Sequence, residues 1–126
     1  MNEYRQKLLE NLGVEKTEKE LRPRFWFTIS MVPNIGDEFI REFADKLDWP
    51  NVSRIQKLSD DLIYEFKHYI NWNNYFIYNE ANFSIIKQFI LKTNFRKLDN
   101  FKSSHLTNSQ KQEIRKLLDF KFIFEK

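Results

Sequence analysis

Residues 48–66 read Asp48-Trp49-Pro50-Asn51-Val52-Ser53-Arg54-Ile55-Gln56-Lys57-Leu58-Ser59-Asp60-Asp61-Leu62-Ile63-Tyr64-Glu65-Phe66. Two polar residues that can cap a helix, Asp48 and Ser59, each open an apolar periodic run. Pro50 falls in the first turn after Asp48, where its missing N–H costs little. Asp60 and Asp61 follow Ser59, where the helix dipole favours negative charge. Leu62, Ile63, Phe66 and Ile70 are spaced as one stripe of an amphipathic helix. The stretch predicts two short helices joined by a turn.

Outward from this stretch the pattern returns every 23 residues. Trp26, Trp49 and Trp72 stand 23 apart, and the next step reaches Phe95. Set in rows of 23, the first three rows fill eight apolar columns in 23 of 24 places, where a hydrophobic share of 41% would fill about ten. Three residues after each aromatic stand Ile29, Val52, Tyr75 and Leu98, and three further Val32, Ile55, Tyr78 and Phe101. Next come Ile35, Leu58 and Ala81, then Phe39-Ile40, Leu62-Ile63 and Ile85-Ile86, then Phe43, Phe66 and Phe89. Leu47, Ile70 and Thr93 close the rows.

Cap residues recur with the same period. Asp48, Asn71, Asn94 and Asp119 precede an aromatic, and Gly36, Ser59, Asn82 and Thr107 stand at mid-row. Each row therefore predicts a first helix of about seven residues and a second of about ten. Helices this short are marginal alone and gain stability by stacking apolar stripes on neighbours. The β propensity of Phe25-Trp26-Phe27-Thr28-Ile29 conflicts locally, and the 23-residue register overrides it. A fourth row needs two extra residues near Ser103-Ser104, after which Leu106, Ile114, Leu118 and Phe120 resume the pattern.

Residues 1–25 lie outside the register and predict an N-terminal helical cap. Tyr4, Leu8 and Leu12 form one stripe that stops at Gly13, a natural residue just past a helix end. Thr17-x-x-Glu20 is a capping-box pattern for a further turn before Pro23. The expected fold is all-α: a small right- or left-handed solenoid of about four 23-residue helix-turn-helix repeats. It forms a single domain over 1–126, with the cap at 1–25, repeats at 26–119 and a C-terminal tail at 120–126. Phe120-Lys121-Phe122-Ile123-Phe124 either begins a fifth unit or pairs in extended form.

The period excludes ankyrin, tetratricopeptide and HEAT units, which are longer. Ile86-x-x-Phe89-x-Leu91-x-x-Asn94 imitates a leucine-rich repeat, but Asp45 and His68 replace the buried leucine in earlier rows. Asp48-Trp49-Pro-Asn-Val52-Ser53, followed by Leu58-Ser59-Asp-Asp-Leu62-Ile63-Tyr-Glu-Phe66, resembles the tandem short-helical repeats of phages and large DNA viruses. Their pattern is D-W-x-x-[IV]-S, then [LI]-[ST]-x-x-[FL]-I-x-x-F. Gly36 departs from it in the first row, and Phe76 and Ala81 in the third. The resemblance covers about residues 26–120. It implies a helical scaffold of viral origin and carries over no catalytic residues.

Composition narrows the function classes. No Cys excludes disulfides, thiolate catalysis and sulfur-ligated zinc, so nothing calls for an oxidising compartment. Glu3 and Glu10 with no long apolar run argue against a signal peptide, and no window approaches a membrane span. The expected location is cytoplasmic, that of the host cell if the chain is viral. Gly13 and Gly36 are the only glycines, so no Gly-rich phosphate loop exists. His68 and His105 stand 37 residues apart with no ligand-like spacing, and both are expected to be solvated. Asp37-Glu38 and Asp60-Asp61 are explained by first-turn positions, and Asp99 beside Arg96 and Lys97 by a loop or cap. No catalytic, cofactor or metal site is expected.

Charge is unevenly divided. Residues 1–66 hold 10 Lys/Arg against 13 Asp/Glu, and residues 67–126 hold 11 against 5. The outward positions of the four second helices carry −2, −2, +2 and +2 in order. Phe83, Ile90 and Leu91 fall off the core stripe beside Lys87 and Lys92, an apolar group rimmed by charge. Two functions remain open. One is a non-enzymatic binding module, a phage or viral anti-defence protein of CRISPR-inhibitor type that occludes a host protein or ribonucleoprotein. The other is an RNA- or DNA-binding protein using Lys87, Lys92, Arg96, Lys97, Lys102, Lys111, Arg115 and Lys116.

Overall fold

A computed structural model describes residues 3–124, the side chains of Phe122 and Phe124 excepted. It divides into two compact units, Met1–Ile70 and Asn71–Lys126. Every regular element among the described residues is helical. None of these helices is long and apolar enough to cross a membrane.

In the first unit, α1 (Glu3–Asn11) ends on Gly13, whose φ is +84°. The Gly13 N–H donates to Glu10 O at 2.9 Å and the Val14 N–H to Leu9 O at 3.0 Å, the paired bonds of a Schellman ending. The buried face of α1 differs from the expected stripe. Leu9 is fully buried, whereas Tyr4 and Leu12 are exposed. Arg5 turns this face inward: its guanidinium lies 4.3 Å over the Phe43 ring and makes a two-pronged contact with Glu18 at 2.6 and 2.9 Å. It also donates to the Glu42 carbonyl at 2.7 Å and to Glu42 Oε1 at 3.1 Å. After α1, Glu20 accepts from the Thr17 N–H and hydroxyl at 2.8 and 2.9 Å, opening a single 3-10 turn at Glu18–Glu20.

The hydrogen bonds from Arg5, reinforced by the charge of Lys46, hold the Glu18 carboxyl below its ordinary range. The stabilisation is present above the unfolded carboxylate value and is lost as pH falls through the folded one. Arg5→Gln should therefore cost about 1–2 kcal/mol at pH 7, the pair being partly exposed and screened, and less at pH 3, below the unfolded carboxylate value. Urea melts at the two pH values check this; an equal cost at both would show that the pairing is not what Arg5 supplies.

The 23-residue register appears directly in the helix positions. α2 (Pro23–Ser30), α4 (Trp49–Ile55) and α6 (Trp72–Tyr78) are the first helices of three rows. α3 (Asp37–Glu42), α5 (Asp60–Glu65) and α7 (Phe83–Phe89) are the second. α2 is helical despite its β-prone residues, and it starts three residues before Trp26 because Pro23 suits the first helical position. Asp48, Ser59, Asn71 and Asn82 each accept from the N–H three residues on, at 2.9–3.3 Å. The second helices have six or seven residues, not about ten. After Phe43 and Phe66 the chain makes the same tight turn, with Leu47 and Ile70 donating back to those phenylalanine carbonyls.

Gly36 caps α3 with φ +95° and ψ 152°, a conformation open to glycine alone. Its alignment with Ser59, Asn82 and Thr107 suggests serine as an improvement; the backbone says otherwise. No atom would meet an added Cβ within 4 Å, so the penalty is torsional. Gly36→Ser should destabilise by about 1–3 kcal/mol in denaturant melts. A stabilised variant would rule out the positive φ.

In the second unit the fourth row departs from the pattern. Asn94 opens no α-helix, because its amide pairs with Asn73 instead: Asn73 Nδ2 donates to Asn94 Oδ1 at 2.8 Å, and the Asn94 N–H to Asn73 Oδ1 at 3.2 Å. Residues 94–96 carry no regular structure, Lys97 has extended dihedrals, and a 3-10 turn follows at Leu98–Asn100. Thr107 and Gln110 then form a reciprocal capping box at 3.0 and 3.1 Å, starting α8 (Asn108–Phe124). α8 runs through Asp119, so Asp119 is no cap, and residues 120–124 neither start a fifth unit nor extend. The side chains of Phe122 and Phe124 and residues 125–126 of the expected tail lie outside the described residues.

Candidate interaction surface

All eleven residues singled out from the sequence lie in the second unit, and the structure separates them into three groups. The first lies where α7 meets α8. Lys87 pairs with Glu113 at 3.0 Å and stands 5.6 Å from the Phe83 ring, which is half-buried. Ile90 is corrected from exposed to core, with 0% exposure. α7 ends at Phe89, and Ile90–Lys92 tighten into a 3-10 turn that packs on α8, so an ideal helical wheel misplaces Ile90. Leu91, on the same turn, remains 41% exposed beside exposed Lys92.

The second group lines one cleft. Phe95 and Phe101 stack at 5.5 Å and are buried with Leu98, anchoring the 95–101 segment from below. Asn100 Oδ1 accepts from the Arg96 and Lys97 N–H groups at 2.9 and 3.0 Å, setting the loop from above. Side-chain competition for backbone donors of this kind is why no helix forms here. Arg115, Leu118 and Asp119 of α8 share the lining with Arg96, Lys97, Leu98 and Asp99, around about 340 Å³. Arg96, Lys97 and Arg115 are thus brought together by fold, from positions nearly 20 residues apart.

The rest scatter. Lys102 is exposed, its N–H donating to Phe76 O at 3.1 Å, Lys111 is half-buried, and Lys116 is exposed. Lys116, Phe120 and Ile123 follow helical spacing along α8, with Phe120 and Ile123 exposed by 55% and 62%. Sequence alone leaves Phe120 and Ile123 in a tail that either begins a fifth unit or pairs in extended form. The signal was available in the i, i+4, i+7 spacing, once the helix was known to continue. Asp119 was also passed over as a surface residue, being read as a cap.

His68 is exposed as expected. His105 is exposed as well and is also engaged: its Nε2 is within hydrogen-bond reach of Ala81 O, and Nδ1 lies 4.0 Å from Glu80. Among the described residues no group of three or more His, Asp or Glu is arranged to hold a metal ion. Comparison with known protein families, curated proteins and solved structures gives no match.

Proposed function

We propose that this chain is a non-enzymatic helical-repeat binding protein whose second unit engages a protein or ribonucleoprotein partner. The repeat pattern supports a solenoid scaffold. Its resemblance to phage and viral short-helical repeats supports an anti-defence protein, of CRISPR-inhibitor type, acting in the host cytoplasm. The observation that carries the reading is the exposed apolar pair Phe120 and Ile123, in helical register with Lys116 on α8. Large exposed apolar side chains bordered by charge mark surfaces that bind other proteins.

Affinity purification from a host lysate tests this, comparing wild type with a Phe120→Glu/Ile123→Glu double variant. A stoichiometric partner captured by wild type and lost from the variant is the expected result. No partner, or equal capture by both, overturns it.

Nucleic-acid binding is the second reading, favoured by the convergence of Arg96, Lys97 and Arg115. It predicts a steep salt dependence, with a log–log slope of about −0.7 to −0.9 per phosphate contact. Salt-independent RNA or DNA binding would sink it.

A further inference from the structure

The 95–101 loop and α8 border an open cleft whose lining is of mixed sign. Arg96, Lys97 and Arg115 supply three cations, Asp99 and Asp119 two carboxylates, and Leu98 and Leu118 an apolar part. Two features make this more than a scatter of surface charge. The loop is set in place by Asn100 and by the buried Phe95, Leu98 and Phe101, so its cations are presented by a pre-organised backbone. Among the described residues, Arg115, Asp99 and Asp119 form no ion pair with one another or with a neighbour, so Arg115 neutralises neither carboxylate.

The chemistry of the lining selects its ligand. An acidic peptide would bring carboxylates against Asp99 and Asp119, and a continuous run of duplex phosphates seated in the cleft, unlike a single terminal phosphate, would bring further anions against them. A bare inorganic anion would use the cations and leave the carboxylates with nothing to accept. A group that joins one strong anion to hydroxyl donors satisfies both. At about 340 Å³ the cleft has the size of a small-ligand site and is too small for a folded element. We propose that it binds a ribose phosphate. The phosphate sits on Arg96, Lys97 and Arg115, where guanidinium forks match its geometry. The ribose hydroxyls donate to Asp99 and Asp119, and Leu98 and Leu118 contact the sugar's apolar face. The group could come from a free ribonucleotide or from the terminal nucleotide of an RNA. This proposal does not depend on which macromolecule the unit engages.

Isothermal titration of the full chain at low ionic strength tests it with adenosine 5′-monophosphate, its 2′,3′-dideoxy counterpart, inorganic phosphate and a 5′-phosphorylated RNA of a few nucleotides. The ribonucleotide should bind saturably, and the dideoxy form about 3- to 10-fold more weakly. Arg115→Gln should weaken the ribonucleotide by about tenfold or more. Asp119→Asn should abolish the preference for ribose while retaining phosphate-dependent binding. Both residues are exposed, so circular dichroism and melting temperature should stay at wild type; Lys97→Gln supplies a second cation variant. RNA binding much tighter than the nucleotide identifies an RNA end as the source, and equal binding identifies the free nucleotide. No saturable binding of any probe, equal affinity for ribose and dideoxyribose, or indifference to both cation variants overturns the proposal. Partner capture by Arg115→Gln in the lysate experiment reads the proposed function separately.

Discussion

Trp49→Ala should lower the free energy of unfolding by about 3–5 kcal/mol, the range for removing a buried large aromatic. Trp49 is buried in the first unit, with its ring centroid 5.5 Å from Phe66 and 5.4 Å from Tyr69. Its Nε1–H donates to Ala44 O at 2.8 Å, in the turn that ends the preceding second helix. The indole therefore joins the start of α4 to the chain before it and to the end of α5. Alanine would leave a cavity among three elements and a carbonyl without its donor. Trp49→Phe separates the two losses: it keeps most of the volume, and should cost about 1–2 kcal/mol. Denaturant melts of both variants give the comparison. A loss below about 1 kcal/mol for alanine would show that the aromatic is not a core spacer.

Gln56→Leu should cost about 2–4 kcal/mol although it replaces a polar residue in a buried place with an apolar one. The Gln56 amide is almost wholly enclosed. Its Nε2 donates to Ser30 O at 3.1 Å and to Val32 O at 2.6 Å, and its Oε1 accepts from the Ile35 N–H at 3.4 Å. Ser30 ends α2, so the side chain satisfies carbonyls that every helix leaves without partners at its C-terminus. Leucine fills similar space but abandons two acceptors and a donor in a site poor in water, each loss costing about 1–3 kcal/mol before relaxation. Gln56→Glu should be worse than leucine at neutral pH, since it places a carboxylate against two carbonyl oxygens. A leucine variant as stable as wild type would mean that water reaches these groups.

The contrast between these two positions shows what was legible in the sequence. Trp49 recurs with the period and Gln56 does not: the positions aligned with it are Pro33, Asn79 and Lys102. A contact made once, to a helix end 24–26 residues away, leaves no repeating trace. The column six residues after each aromatic misled in the opposite way. Val32 and Tyr78 are exposed, while the residues four after each aromatic (Ser30, Ser53 and Phe76) are buried. Four steps of a 3.6-residue helix return close to the aromatic's direction, and six do not. Two of the three buried residues are serine, so a count of apolar side chains passed over that column. Ser30 shows why a hydroxyl suits it: Oγ donates to Trp26 O at 2.7 Å and accepts from the Asp48 N–H at 2.8 Å, tying one first helix to the start of the next.

The candidate surface was legible in its charges and not in its geometry. Net charge located the basic half, and all eleven chosen residues fall in one unit. Which of them converge depended on Asn100 folding back onto two N–H groups and on a 3-10 turn drawing Ile90 inward. Neither event has a period. Both are decided by competition between side chains and the regular backbone ladder.

The unbroken course of α8 sets a direction for change in chain length. A 23-residue segment inserted within rows one to three would enter an existing alternation of caps and turns. A segment joined after Asp119 would instead require a continuous helix to break at that residue, forfeiting backbone bonds on both sides and re-exposing the carbonyls they satisfy. An extra 23-residue segment should therefore be tolerated better within rows one to three than directly after Asp119.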